Sequence, residues 1–468
     1  MNHLAKLLAL TAVALLVPAA GCNDPLNVRI PDIVPTGALN DSASLATVRA
    51  GAIGDFAIAY TGDHPDGSGG TGEGVILYGG LLADEFINSE TFPTRIEVDA
   101  RQIHVTNGDL DNWYRLLHRA RHAAEAGAAQ YAAILHAPIS DPGYPELLDL
   151  AGMTYVLFAE TFCSGVPVSQ LNPDGSITYG VPLTTAQLLD TAVARFNAAI
   201  AVSSDVGMTN FARVGKARAL LDLDSITAAA TVAAPVPTSF AYFESHSANT
   251  DRENNGVFNA GLTDGRYSLA DLEGGNGFPF RSKPDPRTPM ELDGVGFDLS
   301  TPLWDNLRYA SRAAGITVAT GVEARLIQAE VALKGGDTLL TTGAFYTNLN
   351  DPRQNPGNRS YFDPTGAAPI PVLALLGPAD ATAAGGAINL LFAERARWLW
   401  LTAHRLGDLR RLVRPIASGG YGRPQDQVFP TGTYFKAQPG SYGTDVNLPV
   451  PVTEQNNPNF TQCLDRNP

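Results

Sequence analysis

Several stretches of this chain repeat apolar residues every three to four positions, and each is closed by proline or glycine. That period marks helices with one buried face. Residues 110–135 give the longest, with Trp113, Leu116, Leu117, Ala120 and Ala124 on one stripe. Residues 145–162 give the next, stopped by Gly165 and Pro167, and the link between them holds Pro138, Pro142 and Gly143. A short link makes its helices antiparallel neighbours, so this is a helical hairpin. The pattern recurs at 41–60, 185–202 (capped by Thr184 or Thr185), 210–232, 322–334 (ended by Gly335-Gly336) and 387–413 (ended by Pro415). Helix pairs in series stack into a solenoid, because one pair alone leaves an apolar face uncovered. Leu148, Ala151, Gly152 and Tyr155 have the bulky, small, small, aromatic spacing of the first helix of a tetratricopeptide repeat. The small residues there let the partner helix close in. The expected fold is all-α: a tetratricopeptide-like helical solenoid with long irregular loop insertions and at most short hairpins.

The insertions are as informative as the helices. Residues 235–302 and 348–382 are rich in Gly, Asn, Asp, Pro and aromatics, and 419–468 is irregular and proline-rich. Loops this long inside a compact protein carry function or are disordered, and the many aromatics point to the first. No linker-like boundary separates them. Residues 41–468 therefore read as a single domain, with 235–302 as its irregular, ligand-side insert. Hydrophobic residues at 44% and charged residues at 17% suit a large core. A net charge of −15 would be repelled by a phosphate backbone, so nucleic acid is not an expected partner.

The N-terminus reads as an export signal. His3 and Lys6 precede an apolar run from Leu7 to Val17, too short to span a bilayer, and Pro18-Ala19-Ala20-Gly21-Cys22 follows. Small residues directly before a cysteine resemble the lipobox of bacterial lipoproteins, although Ala19 stands where leucine is usual. Residues 1–21 are then the lipoprotein signal peptide, Cys22 the lipidated residue and 22–40 a tether. Each buried acyl CH₂ contributes about 0.8 kcal/mol to the anchor. Cys163 and Cys463 remain, in a compartment where a disulfide persists. A bridge between them would pin the end of the chain to the helical body; two buried thiols are the alternative.

In order along nearly the whole chain, these pieces resemble the SusD/RagB family. After the lipidated cysteine come Leu82-Ala83-Asp84-Glu85, like the family's Asp-Glu motif, and Trp113-Tyr114 at the head of the first long helix. The run from Ala159 to Pro167 resembles a helix ending in "fGdvP", and Gly215-Lys216-Ala217-Arg218-Ala219-Leu220-Leu221 resembles "GkaaAlallar". Asp285-Pro286-Arg287 matches a "DPR" loop, and Arg325 to Glu330 resembles "RLaEvyLmyAEA". Glu394-Arg395 through His404-Arg405-Leu406-Gly407-Asp408-Leu409-Arg410-Arg411 resembles "ERrrELalEGhRwfDLrR", and Leu448-Pro449-Val450-Pro451 with Asn457-Pro458-Asn459 resembles the family's close. Leu401-Thr402-Ala403 lacks the glutamate of the "EG" step, so no role of that residue carries over. The resemblance implies a lipid-anchored glycan binder of the cell outer membrane, facing the exterior. It would capture a glycan or other polymer and deliver it to a SusC-like TonB-dependent transporter, which it covers as a hinged lid. The alternative from another class is a helical outer-membrane scaffold lipoprotein that assembles proteins without binding nutrient.

A glycan ring stacks its apolar face on an aromatic side chain while its hydroxyls take hydrogen bonds. The candidates are Phe92 and Arg95, after the Asp-Glu motif, and Tyr267, Phe278, Phe280 and Trp304 in the insert, with Arg266, Asn276, Arg281 and Asp305 near them. Catalysis is not expected. Asp84 and Glu85 are adjacent and point apart, whereas a retaining glycosidase holds two carboxyls roughly 5–5.5 Å apart. Ser164 sits in Cys-Ser-Gly and not in a nucleophile elbow. His118 and His122 are four apart but have no third ligand, so a solvated helix face is the expectation. Glu394, Arg395, Arg405, Asp408 and Arg411 read as an ion-pair lattice on one helix. The expectation is a binding protein with no catalytic residue, no cofactor and no metal.

Overall fold

The computed structural model describes residues 41–62, 73–136, 140–172, 174–355 and 370–468. The signal peptide, Cys22 and the tether expected at 1–40 lie outside them. Residues 41–44 belong to a first unit, Met1–Ser44, and form one tight turn over Ser42–Ser44. The second unit is Leu45–Pro468.

In the second unit the helices are α1 (Leu45–Thr61), α2 (Val75–Leu82), α3 (Pro93–Asp99), α4 (Gly108–Ile134), α5 (Gly143–Thr161), α6 (Thr185–Val202), α7 (Val206–Asp222), α8 (Ile226–Ala233), α9 (Gly321–Lys334), α10 (Ala344–Gln354), α11 (Pro378–Ala383), α12 (Ala387–Trp398) and α13 (Arg405–Val413). Successive long helices pack on one another: α1 on α4, α4 on α5, α5 on α6, α6 on α7, α7 on α8. This is the solenoid that the sequence period predicts. The small residues do the work expected of them. The Phe196 ring of α6 lies against Gly152 of α5 and Gly215 of α7, and a Cβ at Gly152 would stand only 2.8 Å from it. Thr184 starts α6 with a capping box: its hydroxyl accepts from Gln187 N at 3.2 Å, and the Gln187 side chain accepts from Thr184 N at 2.9 Å. Five two-stranded antiparallel pairs complete the described residues: β1 (Phe86–Asn88) with β7 (Tyr267–Leu269), β2 (Val166–Pro167) with β5 (Pro182–Leu183), β3 (Gln170–Leu171) with β4 (Ile177–Thr178), β6 (Ala241–Glu244) with β10 (Ile316–Thr320), and β8 (Met290–Val295) with β9 (Pro302–Asn306).

Three expectations need correction. The helix expected at 210–232 is two, parted where Asp224 takes a left-handed φ of 56°. The helix expected at 387–413 also breaks, at 399–404, where Leu401 (φ 55°) and Ala403 (φ 59°) are left-handed. Distant side chains compensate the freed backbone there. Glu85 accepts from Leu401 N at 2.8 Å, Tyr60 donates to Thr402 O at 2.8 Å, Tyr309 donates to Leu401 O at 3.0 Å, and Arg218 donates to Ala403 O at 2.7 Å. Residues 344–354, partly placed in an irregular segment, form α10, and α2 and α3 were not anticipated at all. Every residue of α2 is buried, so it has no polar face to reveal a period.

The lattice of charges therefore spans two helices and reaches further. Arg395 of α12 donates to Asp408 of α13 at 2.8 and 3.0 Å; Arg411 reaches Asp408 at 2.7 Å, Glu330 of α9 at 3.2 Å and Asp222 of α7 at 3.2 Å. Arg218 of α7 grips Glu160 of α5 at 2.5 and 2.6 Å. Glu394 accepts from Arg353 at 2.8 Å and from Arg287 of the insert at 2.7 Å. His118 packs against Tyr114 and Phe158, and burial takes its pKa well below the usual imidazole range. It is thus part of the packing, not of a solvated face. Cys163 and Cys463 are bridged, Cα to Cα 6.0 Å, and hold the last residues against the end of α5.

Two outcomes check this packing. Gly215→Ala should cost about 1–3 kcal/mol in urea unfolding, since the Phe196 ring has nowhere to go. The mature protein, denatured without reductant, should show no titratable thiol at Cys163 or Cys463; two free thiols would remove the bridge.

Candidate functional site

The site is built where the chain leaves α2 and meets the insert. Strand β1 pairs with β7, register Phe86↔Leu269, Ile87↔Ser268, Asn88↔Tyr267. Beyond β1, Ser89 N donates to Arg266 O at 3.0 Å and Ser89 Oγ to Gly265 O at 2.8 Å. Phe297 N donates to Gly265 O at 2.8 Å, and Asp298 N to Ser89 O at 3.0 Å. Gly265 makes this possible with a φ of 63°, and Gly296 lies so close to Ser89 that no side chain fits there. Three backbone segments are thereby locked side by side.

Their side chains make an aromatic face. Phe92 caps α3 ahead of Pro93 and is 45% exposed; Phe297 is 48% exposed. The two rings stack with centroids 6.2 Å apart and planes 27° apart. The Arg266 guanidinium lies 5.1 Å from the Phe92 centroid and 4.9 Å from that of Phe297. Adjacent exposed rings form a contiguous apolar patch, and such patches mark contact surfaces. A third ring, Phe435, is 46% exposed and comes from the C-terminal segment. Its neighbour Lys436 reaches Asp298 at 2.8 Å and Asn88 Oδ1 at 2.8 Å, which brings that segment to the same face. Burial opposes ionisation of Asp298, but Lys436 and the donors Thr301 and Ser300 outweigh it and hold the carboxyl below the usual range. The charges here are paired, Arg266 with Glu90 and Lys436 with Asp298.

Under this face runs a buried charge chain. Arg266 donates to Glu90 Oε2 at 2.9 Å, Arg95 donates to Glu90 Oε1 at 2.6 Å, and Arg95 Nε donates to Glu73 Oε1 at 2.5 Å. Tyr267 donates to the other oxygen of Glu73. Burial raises the Glu73 carboxyl and pushes the Tyr267 phenol well above its usual range.

The structure therefore sorts the six candidate residues. Phe92 is at the surface. Arg95 and Tyr267, both 2% exposed, support it from below and touch no solvent-facing ligand position. Phe280 is 1% exposed and packs on Phe278 and Trp400. Phe278 is half-buried beneath Arg397 and Arg405, with centroid distances of 5.0 and 5.4 Å. Trp304, half-buried on β9 opposite Leu292, lies under Arg281 at 4.6 Å and forms a second platform. Phe297, Phe435 and Lys436 were not picked out. Phe297 offered one signal, a bulky ring between two tight turns in Gly294-Val295-Gly296-Phe297-Asp298. Among the described residues no group of three or more His, Cys, Asp or Glu could hold a metal, and no helix is long and apolar enough to cross a membrane.

No family model and no curated protein matches the sequence. Solved structures do match. A SusD superfamily protein from Parabacteroides distasonis ATCC 8503 has 12% identity and a TM-score of 0.61, covering 90% of this chain and 98% of that one. A surface glycan-binding protein A from Bacteroides uniformis has 12% identity and a TM-score of 0.58, covering 90% and 99%. A laminarin-binding SusD-like protein has 13% identity and a TM-score of 0.57, covering 91% and 99%. The chain has the fold of the SusD superfamily, at nearly full length of these relatives.

Arg95 gives the test of the foundation. Arg95→Met leaves Glu73 buried without its cation, and Glu90 with Arg266 alone, and should cost about 3–5 kcal/mol in urea unfolding at pH 7. The loss should shrink toward pH 4, where Glu73, its carboxyl already raised by burial, takes up a proton.

Proposed function

We propose that this protein captures a neutral glycan at the outer surface of a Gram-negative cell and delivers it to a partner TonB-dependent transporter. The observation that carries the reading is the Phe92–Phe297 pair: two exposed, stacked rings fixed by Arg266 and by backbone hydrogen bonds. Such rings are platforms for the apolar faces of sugars, and neighbouring paired charges offer donors and acceptors to hydroxyls. The balance of charge favours a neutral chain over an acidic one. Solved proteins of this fold include a glycan-binding and a laminarin-binding one, which agrees with the reading. Membership of the SusD/RagB family, lipidation at Cys22, outer-membrane anchoring and outward exposure belong to the same proposal and rest on the sequence motifs. The protein is a binder that leaves its ligand chemically unchanged.

A protein-contact role has one observation of its own. The small β3–β4 hairpin exposes Leu171, Ile177, Tyr179 and Val181 together, as a surface for a partner chain does. A transporter fits that surface, and so does the scaffold reading.

Affinity gels with neutral polysaccharides, soluble laminarin among them, test capture. The wild type should be retarded, and Phe92→Ala and Phe297→Ala should each weaken binding roughly tenfold with unchanged unfolding curves, in the range of a lost stacking contact. Hydrolysis products should not appear. Unimpaired binding by the double variant would remove this face as the site.

A further inference from the structure

The connection between β8 and β9 carries Phe297 to the aromatic face, so the seating of this hairpin decides how firmly that ring is held. Strand β8 is an open edge, and every residue from Glu291 to Val295 is exposed. Strand β9 packs against both β8 and β7, and its side chains alternate. Pro302 and Trp304 face outward, while Leu303 (4% exposed) and Asp305 (1% exposed) face in. The first half of β9 is tied down by Ser268 of β7, whose hydroxyl donates to Pro302 O at 2.8 Å and accepts from Trp304 N at 2.9 Å. The second half rests on Asp305.

The Asp305 carboxyl packs directly on Gly261, in the turn Asn259–Thr263: a Cβ at Gly261 would stand 2.6 Å from Asp305 Oδ1. Both carboxyl oxygens are buried, and no N–H or O–H of the described residues reaches them. Glu291 is the direct partner of Asp305 across the β8–β9 pair, a placement that sets Cβ atoms roughly 4.5–5.5 Å apart. Asp293, also on β8, adds a second negative charge. No cation offsets them. The turn Asn259–Thr263 holds no charged residue, and Tyr267 of β7 gives its hydroxyl to Glu73. Arg266 is held by Glu90, Arg281 lies on Trp304 at the opposite face of β9, and Arg308 donates to Trp400 O. An ionised carboxylate so enclosed costs far more than a neutral carboxyl, even one with an idle O–H. Burial first, then Asp293 and Glu291, push Asp305 up to about 7.

We propose that Asp305 is a proton-dependent seat for the β8–β9 hairpin: with the proton on, the hairpin lies firmly on the turn at Gly261 and Phe297 is fixed; with the proton lost, the hairpin lifts more readily and the ring is freed. The effect on ligand binding rests on the capture reading above; the seat itself does not. The sign follows from the surroundings. Burial and both acidic neighbours all raise the carboxyl in the seated form, whereas an aspartate in open chain titrates near roughly 3.9. The seated hairpin therefore binds the proton more tightly than the lifted one. Its advantage is complete at acid pH, is lost as pH rises toward about 7, and changes no further above that.

Hydrogen exchange of the amides of 290–306, corrected for intrinsic rates, reads the seat in the full-length protein, with the amides of α4 as the internal control. Between pH 5 and pH 8 the opening constant of the hairpin should grow about tenfold, the change that one unit of pKa difference confers, and that of α4 should not. Asp305→Asn has nearly the same shape and no charge at either pH, so its hairpin profile should stay flat. Glu291→Gln with Asp293→Asn changes only exposed positions of β8, so it keeps the fold, and it should shrink the rise by removing the two acidic neighbours. Laminarin affinity should weaken from pH 5 to pH 8 in the wild type and not in Asp305→Asn. A flat wild-type profile, an Asp305→Asn profile as steep as the wild type, or a double variant with an undiminished rise overturns the seat. If the exchange behaves as expected while laminarin fails to bind at any pH, the seat stands and the capture reading for this glycan fails.

Discussion

Asp84 and Arg405 join three parts of the chain at one buried point. Arg405 Nε meets Asp84 Oδ1 at 2.5 Å and Nη2 meets Oδ2 at 2.6 Å, and Asp84 Oδ2 also accepts from Phe278 N at 2.7 Å. One carboxylate thus fastens the end of α2, the start of α13 and the insert. It is fully buried, so neither charge can fall back on water, and the two-point geometry is what makes burying both tolerable. Glu394, reaching Arg287 and Arg353, does the same between the insert and α10. Such pairs add little net stability over an apolar core, but they admit only one arrangement of the parts they join. The long insert, which has few regular elements of its own, takes its shape from these anchors.

That constraint explains why exposed rings can be placed accurately on irregular chain. The Glu73–Arg95–Glu90–Arg266 chain runs from the buried interior to the surface, and its last member lies against both Phe92 and Phe297. The rings need not find one another in water, because the backbone bonds through Ser89 and Gly265 already hold them at stacking distance. A preorganised face loses little freedom when a ligand settles on it.

The parts of the fold legible in the sequence are those where one helix face meets water. The stripe of α4 and the small residues Ala151 and Gly152 of α5 could be read directly, because period and size are local properties. Helix α2 could not, since burial on all sides erases the period. The break at 399–404 could not either: it depends on Tyr60, Tyr309, Glu85 and Arg218, each far away in sequence. The site was half legible for a related reason. Aromatics near the Asp-Glu motif and in the insert lead to the region of this face, and Phe92 lies there at the surface. Which ring faces outward depends on pairing across the chain, so Tyr267 and Phe280 turned out to be buried, while Phe297 and Phe435 were passed over. Arg95 looked like a ligand contact because sequence shows its charge and not the two glutamates that enclose it.

The central claim is that Phe92, together with Phe297 and Arg266 of the anchored insert, forms the surface that a glycan covers. Hydrogen exchange with and without a saturating neutral polysaccharide measures this most directly. The account predicts new protection confined to the segments around Ser89–Phe92, Gly265–Arg266 and Gly296–Asp298. Protection centred elsewhere, on the half-buried Trp304 platform or the exposed Leu171–Ile177 hairpin, would contradict it.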